Sequence, residues 1–153
     1  MQKEELAALD NVKIEKTPDV PKEKLFDLII APYKGKVIVV DSWNTWCRPC
    51  RSALAMNEPL KTGELKSDEI VWIYIANETS PLVKYKSMVN DIKGVHYRFN
   101  EEQWQYVAKE LFAIDGIPSY VLVEKDGSYR LSNGFRNHDV MKNTLLKKIS
   151  GSR

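Results

Sequence analysis

The chain has 153 residues, 43% of them hydrophobic and 29% charged, which suits a single globular domain with its own core. Lys and Arg total 23 against 21 Asp and Glu, so charge balance gives no argument for nucleic acid or an anionic membrane as partner. No apolar run approaches the roughly 18 residues of a membrane span, and 2 cysteines are too few for a disulfide-stapled scaffold.

Residues 1–20 read as a polar N-terminal extension or linker ahead of a domain spanning 21–153. Met1 to Asp10 is charged and lacks the apolar stretch of roughly 7–15 residues found in a secretory signal. The chain is therefore expected to be cytosolic or the mature part of an exported protein. Val12 and Ile14 alternate with lysines, as in a short edge strand. Leu25, Phe26, Leu28, Ile29 and Ile30 predict a helix over Lys22 to Tyr33, ending near Pro32 and Gly35. Lys36 to Trp43 is apolar almost throughout, the pattern of a central strand buried on both faces. A helix follows from Cys47 or Arg48, with Pro49 in its first turn and a kink expected at Pro59. Ile70 to Ala76 reads as the second central strand. Ser80 is the expected N-cap of a helix over Pro81 to Ile92, stopped by Gly94. Val95 to Phe99 reads as a short strand. Asn100 caps a helix over Glu101 to Phe112, whose first turn is acidic. Tyr120 to Glu124 and Ser128 to Leu131 form a hairpin about Lys125-Asp126-Gly127. Asp139 to Ile149 closes the chain as an amphipathic helix with Val140, Leu145, Leu146 and Ile149 on its apolar face. This order gives an α/β fold, a mixed central sheet with helices on both faces.

The only cysteines, Cys47 and Cys50, sit three apart where a strand feeds a helix. A helix N-terminus carries partial positive charge and favours thiolate over thiol. The cation of Arg48 adds to that effect, so a lowered Cys47 pKa is expected. Zinc would need two further ligands at suitable spacing, and His96 and His138 lie in unrelated segments. Both histidines are expected at the solvated surface. A c-type haem attachment needs His after the second cysteine, where this chain has Arg51. A purely structural disulfide at this spacing would strain the helix start and close too short a loop to add much stability. Trp46 is expected to form an exposed apolar wall where substrate docks. Trp72, Tyr74, Trp104, Tyr106 and Phe112 are expected as core or half-buried packing. Asp41, at the end of a buried strand, should have a raised pKa and suit a general base.

Val39-Val40-Asp41-Ser42-Trp43, Trp46-Cys47-Arg48-Pro49-Cys50-Arg51, Gly116-Ile117-Pro118-Ser119-Tyr120 and Lys125-Asp126-Gly127 occur in an order that resembles the thioredoxin superfamily. The likeness runs from about Leu25 to the C-terminus. Residues 79–112 resemble the strand-and-helix insertion of the periplasmic TlpA-like branch, some of whose members serve cytochrome c maturation. The resemblance implies a thioredoxin fold and a thiol-disulfide oxidoreductase that mainly reduces protein disulfides. It makes Cys47 the attacking nucleophile, Cys50 the resolving cysteine and Asp41 the buried acid that assists proton transfer. Pro118 matches the family's cis-proline. Trp46, Arg48, Pro49, Ile117 and Pro118 would contact substrate. The redox-active Cys47–Cys50 disulfide then takes the place of a cofactor, and no metal is implied. A client protein with a disulfide and an upstream dithiol reductant are the partners. The implied location is the bacterial periplasm or cell envelope, with contact to the membrane only through an N-terminal anchor, and the cytoplasm as alternative. Arg48-Pro49 departs from the family's commoner Gly-Pro, and no lysine is evident as the acid's buried companion. A redox-inactive binding or chaperone module on the same fold is the alternative function.

Overall fold

The computed structural model describes residues 11–150, so the expectations for Met1 to Asp10 lie outside the described residues. A six-stranded sheet runs in the order β1-β4-β3-β2-β5-β6. Its strands are β1 (Val12–Ile14), β2 (Val37–Ser42), β3 (Ile70–Asn77), β4 (Gly94–Phe99), β5 (Ser119–Val123) and β6 (Tyr129–Leu131). The first four are mutually parallel, and β5 and β6 are antiparallel additions. β2 and β3 are buried at every position, as their largely apolar sequences suggest, with Asp41, Ser42 and Asn77 buried at their C-terminal ends. Of the residues read as an extension, Val12–Ile14 belong to the sheet, pairing with Gly94, Val95 and His96.

The helices are α1 (Lys22–Ile30), α2 (Arg48–Thr62), α3 (Leu82–Val89), α4 (Glu101–Trp104) and α5 (His138–Ser150). One face of the sheet packs Leu25, Phe26 and Ile29 of α1 against Ile38, Val40, Ile73 and Val121. The other packs Cys50, Leu54 and Leu60 of α2 with Tyr85, Met141 and Leu145 against Val39, Trp72, Tyr74 and Leu122. α2 runs through Pro59 to Thr62.

Four expectations are corrected. Ser80 does not cap a helix; α3 starts after Pro81, and the buried Ser80 hydroxyl is tied instead to the loop after β2. The segment after α4 is π-helical over Gln105–Leu111, although Asn100 does cap it, in a capping box with Gln103. His96 is fully buried, because β4 is an interior strand between β1 and β3, and its ring stacks on Tyr74 at 4.9 Å. In α5 Val140 is exposed, and Met141 takes its expected place in the core.

Candidate active site

The site grows from the C-terminal end of β2. Trp43 is buried in the core, and the next turn is held from beneath by polar groups. The Asn44 side-chain oxygen accepts from the Asn77 N–H at 3.0 Å and from the Ser80 hydroxyl at 2.7 Å, and Ser80 in turn accepts from the Thr45 N–H. The Arg51 guanidinium donates to the Thr45 carbonyl at 2.8 Å. Trp46 projects outward, 58% exposed, with its indole N–H fixed on the Thr79 hydroxyl at 2.8 Å. Trp46 thus presents an exposed aromatic face with its indole N–H anchored.

Cys47 is the N-cap of α2, and its Sγ accepts the Cys50 N–H at 3.2 Å. Sulfur thus occupies the place where a helix leaves its first N–H groups unsatisfied and its dipole is positive. Pro49 sits in the first turn, as expected. Cys47 and Cys50 are joined as a disulfide. Cys47 is 5% exposed and lines an open groove of about 600 Å³, whereas Cys50, at 1%, does not line it. Trp46, Arg48, Pro49 and Ile117 form further parts of the groove wall, with Trp104, Lys109 and Ile114 contributed by the 79–112 insertion and the loop after it.

The Gly116–Ser119 loop faces the sulfurs. The Ile117–Pro118 peptide is cis, and the Ile117 carbonyl oxygen lies 3.7 Å from Cys47 Sγ. Arg136 holds this loop from behind. Its Nε donates to the Pro118 carbonyl at 2.8 Å and its Nη2 to the Gly116 carbonyl at 3.3 Å. No sequence pattern singles Arg136 out, because its role depends on where the turn after β6 packs.

Asp41 faces the same layer as the cysteines, in a row of paired residues running Tyr120, Asp41, Tyr74, His96 across the sheet. Burial pushes its carboxyl up to about 8, and the charge of Lys61 partly offsets that rise. Its Oδ1 is buried with no hydrogen-bond partner. Lys61 is the companion that the sequence reading did not find. It lies on α2, its Nζ 4.6 Å from the centre of the Tyr74 ring and 2.8 Å from Glu58. It also donates to the Lys93 carbonyl. Burial holds its ammonium below the ordinary lysine value. The signal was periodicity: Cys50, Leu54, Asn57 and Lys61 follow the 4-3-4 spacing of one helix face, and the first three of them are buried.

The profile of thioredoxin-like proteins matches residues 35–129, which include the cysteine pair, Asp41 and the cis-proline. The chain belongs to the thioredoxin-like family. Within that family it is similar to the thiol-disulfide oxidoreductases ResA of Bacillus thuringiensis (strain Al Hakam) and Bacillus anthracis, each 30% identical over 95 residues, 61% of this chain and 52% of theirs. It spans about half the length of these curated relatives. Two solved structures share the thioredoxin-like fold. The thioredoxin domain of the thiol-disulfide oxidoreductase BVU-2223 from Bacteroides vulgatus aligns with a TM-score of 0.60 at 17% identity, covering 76% of this chain and 84% of that one. The exposed lipoprotein thioredoxin Etrx1 of Streptococcus pneumoniae strain TIGR4 aligns with a TM-score of 0.58 at 19% identity, covering 76% and 87%.

Proposed function

We propose that this thioredoxin-like chain is a thiol-disulfide oxidoreductase that reduces protein disulfides through Cys47 and Cys50. The observation that carries the reading is Cys47 itself: it caps α2, is bonded to Cys50, and lines an open groove opposite the Ile117 carbonyl. The likeness to the thiol-disulfide oxidoreductases ResA supports the same reading.

In the reduced protein the Cys47 thiolate attacks one sulfur of a client disulfide. A mixed disulfide forms and one client thiolate leaves. Asp41 takes the proton of Cys50. With its carboxyl at about 8, it matches a thiol in basicity, although only roughly a tenth is ionised at neutrality. The Cys50 thiolate attacks Cys47 and displaces the second client thiolate. Two electrons have passed to the client, and the Cys47–Cys50 disulfide remains. A dithiol protein returns the pair to the reduced state. Trp46, Arg48, Pro49, Ile117 and Pro118 form the surface on which the client strand lies, the backbone of Ile117 offering strand-like pairing. No separate cofactor or metal enters the cycle.

The proposed setting is the bacterial periplasm or cell envelope, which the resemblance to the TlpA-like branch supports. Among the described residues no helix is long and apolar enough to cross a membrane. The test of function is insulin reduction by wild type and Cys47→Ser. Turnover by wild type and none by the variant is expected; equal activity in both would leave a binding or chaperone module.

A further inference from the structure

Six ion pairs are formed among the described residues: Lys13–Glu15, Lys61–Glu58, Lys125–Glu69, Arg130–Glu124, Lys142–Glu64 and Lys148–Glu124. None of them lies in the groove beside Cys47. The groove wall contains Arg48 and Lys109 and no carboxylate. Arg48 stands between the two cysteines, exposed and without a hydrogen bond or ion pair among the described residues. Lys109 comes from the π-helical segment and donates only to the Ile114 carbonyl, at 3.1 Å. Outside the groove, Arg51 on α2 and Arg136 in the turn after β6 bond to backbone or hydroxyl oxygen and to no carboxylate. The carboxylates nearest in sequence, Glu78, Glu110 and Asp115, pair with none of these cations.

Two cations, Arg48 and Lys109, therefore line the groove of Cys47, and neither meets a carboxylate among the described residues. Between the cations the groove is apolar, with Trp46, Trp104, Ile114 and Ile117. From this arrangement we infer that the client is a polypeptide whose cystine is flanked by Asp or Glu with apolar residues alongside. Its carboxylates meet Arg48 and Lys109 while the apolar side chains lie on the tryptophans. The inference rests on the oxidoreductase reading and adds the class of substrate. Opposite potentials across the encounter raise the association rate and weaken with salt.

The test uses the full reduced chain and two cystine-bridged peptides that share their apolar residues and differ in carrying Glu or Lys beside the cysteines. Reduction is followed as kcat/KM at about 20 mM and about 300 mM salt, on either side of strong screening. The acidic peptide is expected to react about fivefold faster at low salt, the effect of two exposed ion pairs, and to lose most of that lead at high salt. Lys109→Gln should halve the lead and Lys109→Glu should abolish it. Equal rates for the two peptides at low salt, or a lead untouched by both Lys109 variants, overturns the inference and leaves the oxidoreductase reading standing. Failure to reduce either peptide removes the oxidoreductase reading and this inference with it.

Discussion

Arg136 donates through Nε to the carbonyl oxygen of Pro118 at 2.8 Å, and the same guanidinium reaches the Ser119 hydroxyl at 3.2 Å. The cation therefore engages the carbonyls on either side of Ile117 and leaves the Ile117 carbonyl facing Cys47. In the proposed cycle it holds the loop against which a client strand would pair. Because the side chain is exposed, Arg136→Ala should cost about 1 kcal/mol of stability or less. It should lower kcat/KM for a protein disulfide about tenfold, mainly through KM. The rate with a small aromatic disulfide, which needs no strand pairing, should stay near wild type, and Arg136→Lys should recover part of the loss. An equal loss with the small disulfide would mean that Arg136 acts on sulfur reactivity instead.

Asp41 is assigned to the second step and not to the first. In the proposed cycle Cys47 draws its reactivity from its place at the head of α2, which Asp41→Asn leaves intact. The variant should therefore form the mixed disulfide at close to the normal rate and resolve it about a hundredfold more slowly at neutral pH. Rapid-mixing kinetics with a chromophoric disulfide separates the two steps. Slowing confined to the first would place Asp41 in the wrong role.

Much of this arrangement was legible because single residues carried it. An apolar β-branched run specifies β2 wherever it folds, and a cysteine ahead of Arg48-Pro49 lies at a helix start by local rules alone. The groove walls were legible only in part. Trp46 announces itself beside Cys47, whereas Trp104 ends the short α4 and Lys109 follows in a π-helical segment whose hydrogen-bonding register no propensity fixes. His96 was misjudged because a polar residue in a short strand reads as solvated until β1 is known to cover that strand. Lys61 was missed for a related reason. A lysine one residue beyond Leu60 looks like the solvent face until its 4-3-4 spacing from Cys50 is counted, and its ammonium lies over the Trp72 and Tyr74 rings of the sheet while pairing with Glu58 on the same helix.

The buried row Asp41–Tyr74–His96 makes opposing demands on pH. Burial pushes the His96 imidazole down to about 4, the charge of Lys61 adding to that, while its Nε2 lies 2.7 Å from the Ile92 carbonyl. Below pH 6.5 the unfolded chain takes up a proton there and the folded chain does not, so stability falls with falling pH from 6.5 to about 4. Asp41 works the other way. Between 3.8 and about 8 the unfolded chain releases a proton that the folded chain retains, so stability falls as pH rises. Each slope reaches at most about 1.4 kcal/mol per pH unit. The wild-type profile should be nearly flat from about pH 5 to 6.5 and decline towards 8. Asp41→Asn should convert it to a rise followed by a plateau, and His96→Gln to a decline throughout. Urea denaturation of the disulfide form measures this; three parallel profiles would contradict the assignment.

Gly94 opens β4 at φ 138°, and a Cβ there would lie 2.6 Å from the Trp72 carbonyl oxygen and 2.9 Å from the Tyr74 ring. Neither neighbour yields, since one is backbone of the central β3 and the other is wedged against His96. Gly94→Ala should thus destabilise the protein by about 3 kcal/mol, combining an unfavourable backbone conformation with the clash. Thermal unfolding checks this, with Gly127→Ala as a control, for which the left-handed backbone remains but no neighbour lies within 4 Å. Equal losses at the two positions would show that only the backbone conformation matters.

Lys61 offers the sharpest separation between electrostatic and packing roles. Its charge lowers the Asp41 carboxyl, against a larger rise from burial. Lys61→Met keeps most of the stem that lies along Trp72 and Tyr74 while removing the charge. Asp41 then rises further, and less of it is ionised at any given pH. In wild type the resolving step should accelerate with pH around about 8, following Asp41. In Lys61→Met the same curve should move to higher pH, its high-pH plateau preserved, so that the loss of rate is largest near neutrality and vanishes in alkali. Lys61→Arg, which keeps the charge, should leave the midpoint closer to wild type. A lowered plateau with an unmoved midpoint would mean that Lys61 matters for packing alone.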